Sequence, residues 1–123
     1  MNDFIQVVTT AGSKEEASKI GRSLLEHRLS GCVQVSGPIT STYWWKRAIE
    51  SSEEWYCIVK TKAKLYAGVE REIRSLPSYE EPEILAFPGE DGSASYLDWL
   101  SSCLRSPETA EDERTGGEQT SQV

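Results

Sequence analysis

The sequence has few of the residues that build transition-metal centres or small cross-linked scaffolds. Its 123 residues include one histidine, His27, and three cysteines, Cys32, Cys57 and Cys103. The cysteines are odd in number, far apart and form no CxxC pair, which argues against a disulfide framework and a zinc knuckle. Neither the phosphate-loop nor the dinucleotide-binding glycine pattern occurs, so no phosphate-cradling loop is expected. A Ser-His-Asp hydrolase needs three placed residues, and a lone histidine near a helix end makes a poor base. No apolar run approaches the roughly twenty residues of a membrane span. Met1–Thr10 lacks the basic start and long apolar stretch of a secretory signal. Positive charge is also short: 13 Lys and Arg face 20 Asp and Glu, for a formal net charge of −7. Such a chain repels phosphate backbones, so nucleic acid is not expected as a partner. These absences leave a non-enzymatic protein, with no membrane association, in a reducing cytoplasmic setting as the expectation.

What is present is a set of well-marked elements. Phe4-Ile5-Gln6-Val7-Val8-Thr9-Thr10 is apolar and β-branched, and reads as a buried strand. Ser13 with Glu16 forms a capping box, and Ala17, Ile20, Leu24 and Leu25 then line one face of a helix. Ser30-Gly31 ends it, with Gly31 suited to a left-handed cap. A second strand starts at Cys32, is interrupted by a bulge or kink at Gly37-Pro38, and continues from Ile39 to Trp45. Lys46 to Ser52 reads as a polar hairpin tip, and Trp55 to Thr61 as the returning strand. Leu65, Val69, Ile73 and Leu76 form a second helical stripe, closed by Pro77. Glu83 to Pro88 is a fourth strand, and Tyr96, Leu97, Leu100 and Leu104 line a last helix.

This order is βαββαβ plus a terminal helix: an α+β, ferredoxin-like domain with a four-stranded antiparallel sheet and a long hairpin between its second and third strands. Right-handed crossovers put both long helices on one sheet face and leave the other uncovered. The domain is expected over residues 1–105. The last 18 residues, 106–123, hold five acids and one base, carry −4, and read as a disordered acidic tail. The hairpin is long for the domain and exposes Tyr43, Trp44, Trp45 and Trp55, which need a cover. Self-association follows as an expectation.

Several stretches then resemble one family. Gly31-Cys32-Val33-Gln34-Val35 followed by Pro38 to Lys46 (PITSTYWWK) is similar to the second strand of CutA proteins. Glu53-Glu54-Trp55 leading to Ile58-Val59-Lys60-Thr61 resembles their third strand, and Tyr79 to Pro88 (YEEPEILAFP) their fourth. Ser95 to Leu100 (SYLDWL) resembles their last helix, so the likeness runs from Phe4 to Leu104. It implies a homotrimer similar in architecture to the PII signalling proteins. It also implies an association with tolerance of divalent cations, copper among them, with no cofactor required. Where family members carry His-Pro before the Tyr-Glu pair, this chain has Pro77-Ser78. Where some carry a cysteine near the end of the first strand, it has Val8-Thr9-Thr10, and Arg47 stands where a hairpin glycine is usual.

Candidate site residues follow from both lines. Cys32, Trp44, Lys60, Tyr79, Glu80 and Glu83 are the expected residues of an intersubunit cleft, with Glu80 and Glu83 as oxygen donors to a cation such as Cu(II). Tyr43, Trp44, Trp45 and Trp55 are the expected trimer interface. His27 reads as a helix-end residue without a metal role. Two alternatives stay open at this point: a PII-like sensor of small molecules, and a structural trimerisation module that binds no metal.

Overall fold

The computed structural model describes residues 3–77 and 79–107. The acidic tail expected beyond them lies outside the described residues. The elements run β1 (Phe4–Ala11), α1 (Lys14–Glu26), β2 (Cys32–Trp45), β3 (Ala48–Lys62), α2 (Tyr66–Ser75, entered through a 3-10 turn at Ala63–Leu65), β4 (Ile84–Pro88) and α3 (Ala94–Cys103). The sheet has the order β2-β3-β1-β4, and every neighbouring pair is antiparallel. This is the ferredoxin-like arrangement expected from the element order.

Strand alternation sorts the two faces. Val7, Thr9 and Ala11 of β1 and Cys57, Val59 and Thr61 of β3 point to the helical layer and are buried. They meet Ala17, Ile20 and Leu24 of α1 and Val69 and Ile73 of α2. Helix α1 lies so close to β2 that a side chain at Gly21 would overlap Val33. Ser13 caps α1 by accepting the Glu16 N–H at 3.1 Å, while Glu16 Oε1 accepts the Gly12 N–H at 3.1 Å, one residue before the cap. The capping box is thus shifted by one donor from its usual form.

Thr9 carries a buried hydroxyl in this core with no hydrogen-bond partner among the described residues. The nearby Thr61 hydroxyl, by contrast, donates to the Leu29 carbonyl at 2.7 Å. Thr9→Val keeps the shape and removes the unpaired oxygen. It is expected to stabilise the protein by about 1 kcal/mol, read as a higher urea midpoint with an unchanged slope.

Three local expectations change. Gly31 takes no left-handed conformation; Arg28 does, at φ 57°, just after α1. Gly31 is needed for another reason: a Cβ there would come 2.7 Å from Leu100 Cδ1 and 3.0 Å from Cys103 Cβ, so it is where α3 lands. The hairpin tip is two residues, Lys46 and Arg47, both at positive φ (50° and 74°), rather than the polar stretch to Ser52. Strand pairing therefore extends to Trp45↔Ala48, and the register shifts at Ser36/Ile39, where Gly37-Pro38 was expected to kink the strand. Trp55 is not an exposed aromatic: it packs partly buried against the core, with its ring under Gly37.

The other sheet face is crossed by two rows of side chains. Leu85, Val8, Ile58 and Gln34 form one, and Phe87, Gln6, Lys60 and Cys32 the other. Leu85 and Phe87 are about half exposed, at 52% and 50%. Tyr96 of α3 stands by Cys32 at one end of the sheet; burial first, and then the neighbouring Cys32, raises its phenol above the ordinary range.

Candidate functional site

The turn from β1 into α1 and the loop from α2 to β4 meet at one end of the sheet. Their side chains enclose a cleft of about 220 Å³ lined by Ala11, Gly12, Glu16, Ile20, Pro77 and Tyr79. Gly12 is the open wall: a Cβ there would sit 3.3 Å from Glu16 Oε1 and 3.5 Å from the Tyr79 hydroxyl.

Beside the cleft lies Glu54 of β3, only 7% exposed. The Tyr79 hydroxyl donates to its carboxylate. Burial holds the Tyr79 phenol well above its ordinary range, and the hydrogen bond to Glu54 and the charges of Glu54 and Glu16 add to this. Glu83 is likewise raised, first by burial and then by the Glu54 charge. Glu80 and Glu81 face cations instead: Lys46 Nζ is 4.0 Å from Glu80 Oε1, and Arg74 Nη2 is 3.9 Å from Glu81 Oε2. Both pairs are well exposed, and pairs of that kind contribute at most about 1 kcal/mol.

The six residues expected in one cleft fall into three places. Tyr79 and Glu83 adjoin Glu54, with Glu80 turned to the hairpin tip. Cys32 and Lys60 are cross-strand partners on the open face. Glu54 and Lys60 are six residues apart on one strand, about 20 Å, so a single protomer does not bring the two groups together. Trp44 lies near the hairpin tip, 71% exposed and paired across the strands with Ile49. Glu54 is the residue that pattern reading missed. In a polar Glu53-Glu54 pair at a strand entrance nothing local marks one carboxylate as buried; the loop that covers it is far along the chain.

Histidine and cysteine play no part in this group. His27 Nδ1 lies 2.8 Å from the Ser23 carbonyl, and Ser23 Oγ donates to Glu72, which ties α1 to α2. No group of three or more His, Cys, Asp or Glu side chains is gathered for a metal ion among the described residues. Cys57 is fully buried, and burial pushes its thiol up to about 12. Cys32 and Cys103 are half-buried. Iodoacetamide at pH 8 is expected to label Cys32 and Cys103 in the native protein and Cys57 only after denaturation, by mass spectrometry. Native labelling of Cys57 would mean that the core opens. No helix among the described residues is long and apolar enough to cross a membrane.

Comparison with known proteins places this arrangement. The sequence model described as CutA1 divalent ion tolerance protein matches residues 5–103. The divalent-cation tolerance protein CutA of Archaeoglobus fulgidus is 42% identical over 81% of this chain and 95% of its own length. That of Thermus thermophilus is 35% identical over 76% and 91%. The solved structure of the A. fulgidus protein, described as periplasmic, superposes with a TM-score of 0.80 at 38% identity, over 83% of this chain and 99% of its own. With a sheet and helices that superpose and motifs that match along nearly every element, the chain belongs to the CutA1 divalent ion tolerance family.

Proposed function

We propose that the chain is the protomer of a non-enzymatic homotrimer that serves divalent-cation tolerance, binding cations between subunits. The observation that carries the cation part is Glu54 with Glu83 beside Tyr79. These carboxylates are crowded, and no lysine or arginine is paired with either among the described residues. The trimer part is supported by the exposed rows around Leu85 and Phe87 and by Trp44 near the hairpin tip. Oxygen donors such as Glu80 and Glu83 suit a hard cation. The imidazole and thiolates that copper favours lie elsewhere in the protomer, so one chain alone does not supply a copper donor set. Copper would be held only where two copies meet. A cytoplasmic setting is supported by three unpaired cysteines.

Calorimetry of the metal-free protein with Cu(II), Zn(II) and Cd(II) tests the cation part. Binding heat is expected for at least one ion and is lost in the Glu54→Gln, Glu83→Gln double variant. Equal heat from that variant removes the assignment. A monomer mass by light scattering at micromolar concentration removes the intersubunit sites altogether.

The cleft between Gly12 and Tyr79 favours a second reading, a PII-like sensor of a small ligand. Its walls are partly apolar, which a bare metal ion does not use.

A further inference from the structure

The sequence holds one pair of adjacent Lys or Arg residues, Lys46-Arg47, and it forms the two-residue tip of the β2–β3 hairpin. The two most exposed large apolar side chains among the described residues flank the same tip. Trp44 is 71% and Ile49 63% exposed, and they face each other across the strands. β1 pairs with β3 only as far as Trp55, so outward from Glu54 the hairpin is a two-stranded ribbon. Alternation along β3 sends Cys57, Val59 and Thr61 to the helical layer, so Ile49, with Trp44 opposite it, points to that side and away from Leu85 and Phe87. Assembly through the face of Leu85 and Phe87 leaves this pair uncovered. Lys46 Nζ lies 5.4 Å over the Trp45 ring and 4.0 Å from Glu80 Oε1, in a pair open to water, and Arg47 makes no ion pair among the described residues. Glu50, the nearest acid along the chain, is paired with Tyr43 on the opposite face of the ribbon.

Such a tip is convex and two strands wide, so it encloses no small molecule. Two copies meeting tip to tip would set like charges against each other. A bilayer surface needs no matching pocket. Tryptophan favours the membrane–water interface, and the long stems of lysine and arginine keep their charges at the headgroups while apolar neighbours go deeper. Trp44 and Ile49 lie within about 7 Å of the turn along the strands, which matches the depth of about 5–10 Å that interfacial apolar groups reach. We infer that the hairpin tip docks onto a lipid bilayer containing anionic lipid, with Trp44 and Ile49 in the interface and Lys46 and Arg47 on lipid phosphates. The net charge of −7 repels the rest of the chain from such a surface and confines contact to the tip. This inference uses no residue of the cleft and does not rest on the divalent-cation reading.

Sedimentation of the full-length protein with sucrose-loaded vesicles tests this. Vesicles of equimolar phosphatidylcholine and phosphatidylglycerol are expected to carry the protein down, and pure phosphatidylcholine to bind about tenfold more weakly. Lys46→Gln with Arg47→Gln is expected to weaken binding to the mixed vesicles about tenfold. Trp44→Ser with Ile49→Ser is expected to weaken it at least as much. Both variants should keep native circular dichroism, because all four side chains are exposed. Brominated phosphatidylcholine in the mixed vesicles is expected to quench part of the tryptophan emission, and Trp44→Ser to remove that part. No sedimentation with either vesicle overturns the inference, and so does binding that Trp44→Ser with Ile49→Ser leaves unchanged. If that double variant instead turns an assembled protein into a folded monomer, the tip is covered by a second copy of the chain and the bilayer assignment falls.

Discussion

Leu24→Ala is expected to lower protomer stability by about 3 kcal/mol. Leu24 is fully buried at the centre of the contact between α1 and the sheet. Alanine has a high helix propensity, so the helix itself survives, and the loss comes from missing contacts and the cavity left behind. The sheet below is fixed by β1–β3 pairing and α1 is held close to β2 at Gly21, which limits collapse into the hole. In a domain of this size about 1 kcal/mol shifts the melting temperature by about 4–8 °C. A drop well above 10 °C is therefore expected, unless assembly adds stability that the substitution does not touch. Calorimetric scans at several protein concentrations separate the two, because only the assembly contribution depends on concentration. A loss under 1 kcal/mol would show that the core has slack the packing does not reveal.

The second large effect concerns the open sheet face. Leu85→Glu with Phe87→Glu places one charge in the row that runs through Val8 and Ile58 and one in the row that runs through Gln6 and Lys60. Both side chains are half exposed in the protomer, so its own fold tolerates the change. Buried between copies, both charges would be desolvated and would face the like charges of their symmetry mates. The double variant is expected to be a folded monomer, with native circular dichroism and a monomer mass by light scattering at concentrations where the parent chain is assembled. A folded variant that keeps the parent mass would place the interface elsewhere, with the hairpin around Trp44 the next surface to change.

The fold was legible because its signals are local. The Ser13–Glu16 cap, the stripes through Ile20 and Leu24 and through Val69 and Ile73, and the β-branched runs each declare an element within a few residues. Errors arose where local chemistry has two readings. Gly31 after a helix looks like a left-handed cap, yet the close approach of α3, some seventy residues later, is what requires it. Lys46 and Arg47 have no turn signature, so the hairpin appeared to open early; pairing of both flanking strands to Trp45↔Ala48 forces them into a tight turn. The site was less legible for the same reason. Tyr79 and Glu83 entered the candidate site by likeness, whereas Glu54 and Gly12 are brought beside them only by a loop that returns over them.

The long hairpin gives the protomer an arm. Fifteen residues of β3 span about 50 Å, whereas a compact chain of about 100 residues, with a radius of gyration near 13 Å, is only about 34 Å across. A single chain in solution would therefore tumble and migrate like a larger, asymmetric particle. Its elution volume on a sizing column would fall closer to that of a dimer, with a raised frictional ratio in the ultracentrifuge. Rotational diffusion should be anisotropic, fastest about the hairpin axis, and NMR relaxation rates of amides along β3 should differ from those of α1 and α2 by orientation alone.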